Sequence, residues 1–135
     1  MSRMVLADTG PLYALADRSD QFHSRARRES EQLQRERFVI AAAHPTVMEG
    51  HALILRRLGP RAAQTWLEDA HSRMGLINPT STDYLDAVRL MRHFRDQPIT
   101  LFDALLAVLS DRLGLPVWTF DYHFELMRAR VWRPD

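Results

Sequence analysis

Met4-Val5-Leu6-Ala7-Asp8 is a short apolar run that ends in a carboxylate, and Thr9-Gly10-Pro11 follows it directly. The run has the length of a buried strand, and proline is favoured in the first turn of a helix. The same order, a short apolar run and then a helical pattern, recurs along the chain. This alternation predicts an α/β fold with a mostly parallel sheet of four to five short strands flanked by helices.

The other apolar runs and helical patterns define the remaining expected elements. Strands are predicted at 3–7, 38–42, 76–78 and 116–120, with a last edge strand at Val131-Trp132. Helices are predicted from Pro11 to Asp17, from 22 to 35, from Pro45 to Gly59, from 60 to 73, from 82 to 94, and from Thr100 to just before Gly114. Ser81 and Thr100 are the expected N-terminal caps of the last two helices.

The composition limits the classes of function. The 135 residues are 46% hydrophobic and 26% charged, which is typical of one globular domain, predicted to span residues 1–135. The absence of cysteine excludes disulfides, thiolate nucleophiles and thiolate zinc sites. No apolar run is long enough to cross a bilayer and no signal peptide precedes the first strand, so a cytoplasmic location without membrane contact is expected. The net charge of +1 creates no overall field that would indicate a nucleic-acid partner.

Four carboxylates occupy positions where the surrounding sequence is apolar. Asp8 and Asp121 each end a predicted strand, whereas Glu49 and Asp103 lie near the starts of apolar helical patterns. Because ligands collect beyond the carboxyl ends of parallel strands, we expect the four acids to converge at that edge of the sheet. Their repulsion would call for a divalent cation, and hard oxygen ligands suit Mg²⁺, with Mn²⁺ as a substitute. Such a site indicates phosphoryl chemistry.

Structural roles compete with this interpretation. The segment 100–103 matches a capping box in which Asp103 serves the helix start. Asp8 and Asp121 also suit turns at the ends of strands. Glu49 is harder to explain, because its helix is predicted to be apolar on nearly every side and has no arginine three or four residues away.

Two hydroxyls and six histidines are further candidates. Thr9 and Thr119 lie beside or near two of the acids, where their hydroxyls would orient metal ligands or make ordinary strand-end hydrogen bonds. The histidines show no metal-ligand spacing, so they are expected at the surface or partly buried.

Five segments follow one another in an order that is typical of a known family. They are 5–12 with the first acid, 20–26, 45–49 with the second acid, 99–104 with the third, and 119–124 with the fourth. By subtraction the acids are separated by 41, 54 and 18 residues (8 to 49, 49 to 103, 103 to 121). In this pattern the chain resembles a PIN domain, specifically a toxin ribonuclease of the VapC type, over nearly its whole length. Gly50 and His51 depart from the larger helix formers that often follow the second acid.

The resemblance implies a PIN-like fold and a metal-dependent endoribonuclease that acts on single-stranded or loop RNA. It assigns metal binding and catalysis to Asp8, Glu49, Asp103 and Asp121. It also implies a homodimer and a VapB-like antitoxin as protein partner. Apolar residues of the early helices are expected to form the groove for the antitoxin, or else core and homodimer surface; they are Leu12, Tyr13, Leu33, Trp66 and Leu67.

Other functions stay open on sequence alone. One is a PIN-fold nuclease that processes RNA in housekeeping metabolism, and another is a PIN-fold binding module without catalysis. A phosphatase on a related sheet is less favoured, because Asp8-Thr9-Gly10 lacks the second aspartate of an Asp-x-Asp nucleophile motif.

Overall fold

The sheet of this protein contains four parallel strands. A computed structural model describes residues 3–135, so Met1 and Ser2, which the predicted domain 1–135 includes, lie outside the described residues. The strands are β1 (Arg3–Ala7), β2 (Phe38–Ala43), β3 (Gly75–Ile77) and β4 (Val117–Trp118). Their order in the sheet is β3-β2-β1-β4, and every neighbouring pair is parallel. The predicted α/β fold with a parallel sheet is therefore confirmed.

Seven α-helices surround the sheet. They are α1 (Thr9–Ala16), α2 (His23–Arg35), α3 (His44–Leu58), α4 (Pro60–Arg73), α5 (Ser81–Met91), α6 (Leu101–Leu113) and α7 (His123–Leu126), and a 3-10 turn (Arg92–Phe94) follows α5. Proline lies in the first turn of α3 and of α4. Backbone N–H groups in a first turn make no hydrogen bond within the helix, so proline, which lacks the N–H, is tolerated there. Within residues 3–135, none of these helices has both the length and the apolar character needed to span a membrane.

The core lies on both faces of the sheet, because successive strand residues point to opposite sides. Leu6 and Val117, which pair across β1 and β4, pack with Leu105 and Leu109 of α6 on one face. The other face is formed by a second group of buried side chains, which includes Val5, Ala7, Leu12, Leu33 and Trp118. Burial on both faces is what parallel strands of this kind require.

Three details of the predicted elements are wrong. The strand expected at 116–120 covers only Val117–Trp118. The cap of α5 is Thr80 and not Ser81, because the Thr80 hydroxyl accepts from Asp83 N while the Asp83 carboxylate accepts from Thr80 N. The expected edge strand Val131-Trp132 is a single bridge between Val117 and Val131. Of the two residues of β4, only Val117 pairs with this segment.

The expectation that α3 is buried on all sides is also wrong. Met48 is 70% exposed and Leu55 is 42% exposed, so only one side of α3 packs against the domain.

Conversely, the apolar residues expected to form a partner groove belong to the core: Leu12, Tyr13 and Leu33 are buried, and Trp66 and Leu67 pack against the buried groups.

Gly50 explains how α3 and α4 approach each other. A Cβ atom at this position would lie 2.7 Å from Cη2 of Trp66, closer than real Cβ contacts. The glycine therefore makes room for the indole of Trp66 against α3. This contact accounts for the departure from the family pattern beside the second acid.

Candidate metal centre

The structure brings the four candidate acids to one edge of the sheet. Asp8 follows β1 directly and Asp121 follows β4 after two residues, while Glu49 lies in the second turn of α3 and Asp103 in the first turn of α6. All four line a single cavity of about 990 Å³. The convergence follows from the topology, because β1, β2 and β4 run parallel and α3 begins where β2 ends.

Asp8 is the most buried of the four acids, with 9% of its surface exposed. Its carboxylate caps α1 by accepting from Thr9 N at 2.8 Å, and it accepts from the Thr119 hydroxyl at 2.8 Å. Burial raises the pKa of Asp8 to about 7, and the charges of Asp103 and Glu49 add to the rise while the hydrogen bonds from Thr119 and Thr9 oppose it. Loss of hydration therefore outweighs the repulsion between like charges as the cause of the raised pKa.

The hydroxyl of Thr9 donates to Oε1 of Glu49 and so connects the start of α1 to α3. Thr119 has two contacts, because its oxygen also accepts from Asp121 N at 2.9 Å. Both threonine hydroxyls therefore donate to acids that line the cavity. Each of them holds one carboxylate oxygen in place, and the other oxygen of Asp8 accepts from Thr9 N.

Asp103 serves as a cap and lines the cavity at the same time. Its carboxylate accepts from Thr100 N at 3.2 Å and its own N–H donates to the Thr100 hydroxyl at 3.1 Å, which is the predicted capping box. Burial raises the pKa of Asp103, with a further contribution from the charge of Asp121, although the bonds to Thr100 act in the opposite direction. The capping role and a role in the cavity are therefore compatible.

Asp121 sits in the turn that leads into α7. His123 N donates to its Oδ1 at 2.9 Å, so the predicted turn role of Asp121 is present. One ligand atom each from Asp103, Asp121 and His123 lie within 4.8 Å of one another. In residues 3–135 no other set of three potential ligands is as close, and Asp8 and Glu49 line the cavity outside this group.

Sequence reasoning missed His123, because the histidines were expected at the surface or only partly buried. The side chain is buried, lines the cavity and stacks against Tyr122 with ring centroids 4.4 Å apart. The signal that identifies it is its position two residues after a carboxylate in a turn at a strand end. Histidine spacing within a helix could not have revealed it.

The rim of the cavity carries arginines and exposed apolar side chains. Arg56 and Arg57 of α3 line it, but within the described chain none of the four acids forms an ion pair with an arginine. The apolar rim residues include Met48, Phe102 and the 61% exposed Tyr122. The site therefore combines uncompensated carboxylates inside with cations and flat apolar groups at its edge.

The donor set fits a hard divalent cation. Carboxylate oxygens are the ligands that Mg²⁺ and Mn²⁺ prefer. A cation would favour the ionised form of Asp8 and Asp103, whose pKa values are raised when only protein groups surround them. Asp8, Glu49, Asp103 and Asp121 all line the cavity, and Asp103, Asp121 and His123 offer ligand atoms close enough to share one ion.

Comparison with known proteins gives a family and a shared fold. The sequence model of the PIN domain matches residues 5–129. No curated protein matches the sequence at a significant level.

Several solved structures share the architecture. VapC20 of Mycobacterium tuberculosis, described as a sarcin-ricin loop cleaving toxin, superposes with a TM-score of 0.84 at 20% identity, covering 96% of this chain and 99% of that one. VapBC2 of Rickettsia felis, bound to a promoter DNA fragment, gives 0.74 at 14% identity, with coverage of 96% and 99%. FitAcB of Neisseria gonorrhoeae gives 0.68 at 17% identity, with coverage of 96% and 97%. At these identities the likeness shows the fold.

Proposed function

The chain belongs to the PIN domain family, and from this premise we propose that it is a metal-dependent endoribonuclease, the toxin of a toxin–antitoxin pair. The observation that carries the proposal is the convergence of Asp8, Glu49, Asp103 and Asp121 in one cavity without any arginine paired to them. A binding module would have no reason to keep this arrangement, because the buried Asp8 and the three partly buried acids beside it destabilise the fold.

In this proposal the four acids hold Mg²⁺, or Mn²⁺ in its place. When bound there, the cation would activate a water and neutralise negative charge on the scissile phosphate. Thr119 keeps the carboxylate of Asp8 oriented and, through its contact with Asp121 N, positions the turn that carries the fourth acid. Thr9 orients Glu49 in the same way. No protein nucleophile is needed, which agrees with a chain that contains no cysteine.

RNA is the proposed substrate. Arg56 and Arg57 stand at the rim, where guanidinium groups are suited to bind backbone phosphates beside the cleavage site. The exposed rings of Tyr122 and Phe102 offer faces for unpaired bases. The structural similarity to VapC20, described as cleaving the sarcin-ricin loop, favours a loop in a structured RNA over a duplex.

An antitoxin and a second copy of the chain are the proposed protein partners. The structures of VapBC2 and of a toxin–antitoxin complex from Klebsiella pneumoniae, which share this fold, support the first. The exposed apolar side chains of Tyr84, Leu85 and Val88 on one face of α5 support the second. Light scattering of wild-type protein and a Leu85→Glu variant tests the dimer, which the glutamate should dissociate.

RNA cleavage by the purified protein tests the activity. We expect cutting with Mg²⁺ or Mn²⁺, loss of cutting with EDTA, and loss of cutting in Asp8→Asn. The matched control is Asp86→Asn, the same chemical change at a half-exposed position of α5 that pairs with Arg89 and lies outside the cavity, and it should leave cleavage unchanged. Cleavage that persists in EDTA, or in the Asp8→Asn variant, contradicts the assigned metal centre. Absence of any cleavage favours a non-catalytic binding module.

Expression in bacteria separates a toxin from a housekeeping nuclease. Wild-type protein should arrest growth, Asp8→Asn should not, and co-expression of an adjacent small antitoxin-like gene should restore growth. If expression is harmless while the purified protein cuts RNA, a role in RNA processing replaces the toxin role.

A further inference from the structure

We propose that His123 is a direct ligand of the divalent cation, together with Asp103 and Asp121, and that its nitrogen makes this part of the cavity select Mn²⁺ over Mg²⁺. The inference rests on the proposed function, because it assumes that a metal occupies the acidic cavity. It adds a ligand outside the four acids, and it predicts which metal the chain prefers.

The spacing of the three side chains carries the first part of the argument. Their ligand atoms all lie within 4.8 Å of one another, and Nδ1 of His123 is 2.9 Å from Oδ1 of Asp121. Two ligands of one ion, each at about 2.1 Å and at a right angle, lie about 3.0 Å apart. The 2.9 Å between Nδ1 of His123 and Oδ1 of Asp121 therefore matches the spacing of two neighbouring ligands of one cation.

The hydrogen bonding of His123 provides an independent observation. The residue is only 8% exposed, and within the described chain neither ring nitrogen has a hydrogen-bond partner. Although Nδ1 is close to Asp121, the angles of that contact do not meet those of a hydrogen bond. A buried polar group without a partner is costly and calls for an explanation. A metal ligand bond from Nδ1 would satisfy one of the two nitrogens.

The ring of His123 is also held in position. Its backbone N–H donates to Asp121 Oδ1 at 2.9 Å, which fixes the main chain beside the acid. The ring of Tyr122 stacks on the imidazole with centroids 4.4 Å apart. Ligands that are positioned before the metal arrives lose little conformational entropy on binding, so this arrangement favours a bound ion.

The identity of the donor atom determines the preferred metal. Both ions prefer oxygen ligands, but Mg²⁺ dehydrates reluctantly and demands oxygen, whereas Mn²⁺ is the softer ion and binds an imidazole nitrogen better than Mg²⁺ does. Mn²⁺ accepts both the carboxylates and the imidazole. Replacing the imidazole by an amide oxygen should therefore weaken Mn²⁺ binding more than Mg²⁺ binding.

Calorimetric titration with each metal alone measures this selectivity. In His123→Asn we expect the Mn²⁺ affinity to fall by about 10-fold or more and the Mg²⁺ affinity to change much less. His93→Asn, the same change at an exposed histidine in the 3-10 turn, should alter neither. If His123→Asn binds both metals like wild type while Asp103→Asn binds neither, the inference is overturned and the proposed metal centre stands. If wild-type protein binds neither metal, both fail.

Electron spin-echo spectroscopy of the Mn²⁺-loaded wild-type protein gives a second test that needs no variant. Protein labelled with ¹⁵N-histidine should show a nitrogen coupled directly to the Mn²⁺ spin. The coupling should survive in His93→Asn and disappear in His123→Asn. Mn²⁺ bound without any histidine coupling in the wild type overturns the inference, and His123 is then a packing residue only.

Discussion

Helices α5 and α6 begin with the same capping box, but the acid in each first turn has a different environment. Asp83 of α5 accepts from Thr80 N, and Asp103 of α6 accepts from Thr100 N. Asp83 also accepts two hydrogen bonds of 2.7 Å from Arg112, which lies in the last turn of α6. In contrast, Asp103 faces Asp121 and His123, and no arginine in the described chain pairs with it.

The pKa values of Asp83 and Asp103 shift in opposite directions. Arg112 holds the pKa of Asp83 below its ordinary value, in spite of burial. Burial raises the pKa of Asp103, and Asp121 adds to the rise. Burial and capping therefore do not distinguish a structural carboxylate from a functional one. The two acids differ in whether the fold supplies a cation: Arg112 does so for Asp83, whereas under the proposed function the cation beside Asp103 comes from solution.

The largest expected effect is on RNA cleavage. Loss of a residue that only supports a metal ligand lowers activity by up to roughly 100-fold. Asp103→Asn removes a proposed ligand itself, so its rate of RNA cleavage should fall by more than that. Asp83→Asn should cleave RNA at close to the wild-type rate under conditions where it is folded. A fluorogenic RNA assay at saturating Mg²⁺ compares the two. If the rate of RNA cleavage falls equally in both variants, the acids at the two helix starts do not differ in function.

The next effect concerns Asp8 and the pH dependence of stability. Its pKa rises from 3.8 to about 7 on folding, so between these values the folded protein holds a proton that the unfolded chain has released. The stability of the metal-free protein should therefore fall as pH rises from 4 to 7. Asp8→Asn removes this dependence and should be more stable than wild type at pH 8 by roughly 2–4 kcal/mol. Urea unfolding at pH 5 and pH 8 measures it, and parallel pH profiles for the two proteins would contradict the assignment.

Asp83 should show the opposite behaviour at the acid end of the range. Because its folded pKa is lowered, its stabilising effect is present above pH 4 and is lost as pH falls through that lowered pKa. At pH 7 we expect Asp83→Asn to melt several degrees below wild type, since Arg112 loses two charge-assisted bonds. Asp103→Asn should melt at or above the wild-type temperature, because it relieves repulsion. The half-exposed control Asp86→Asn should change little.

The smallest effect comes from the caps themselves. Thr80→Ala and Thr100→Ala each remove one side-chain cap and should each lower the free energy of unfolding by about 1 kcal/mol. Only Thr100→Ala should also slow RNA cleavage, because the lost hydroxyl accepts from Asp103 N and so stabilises the first turn of α6, where the N–H of residue 100 holds the Asp103 carboxylate. Chemical denaturation combined with the cleavage assay separates the two consequences. If Thr80→Ala cleaves RNA more slowly than wild type under conditions where it is fully folded, α5 influences the site.

Much of the fold was predictable, because the information lies in short stretches of sequence. A buried strand of five or six residues such as β1 or β2 is a continuous apolar run, and proline or threonine identifies the helix starts. Once parallel strands are inferred, the acids at their carboxyl ends must share an edge. The positions of Asp8 and Asp121 at that edge could therefore be expected from the sequence, whereas their binding of a metal stays a prediction.

Features that depend on a distant partner were not predictable. The ion pair of Asp83 joins residues 29 positions apart on different helices, and no local pattern connects them. The exposed side of α3 was missed because an apolar sequence does not reveal which of its faces finds a partner. His123 was missed for a similar reason, since its burial depends on how α7 packs rather than on its neighbours in sequence.

The position of β1 in the middle of the sheet has a consequence for biosynthesis. β1 is flanked by β2 and β4, and the hydrogen bond between Asp8 and Thr119 joins residues 111 positions apart. A growing polypeptide on the ribosome therefore carries Asp8 long before the strand and the acid that complete the cavity exist. A stalled or truncated chain that ends before β4 has neither Asp121 nor the pairing that covers β1. Under the proposed function, the protein therefore cannot attack RNA until the ribosome has made the chain as far as Asp121 of its 135 residues.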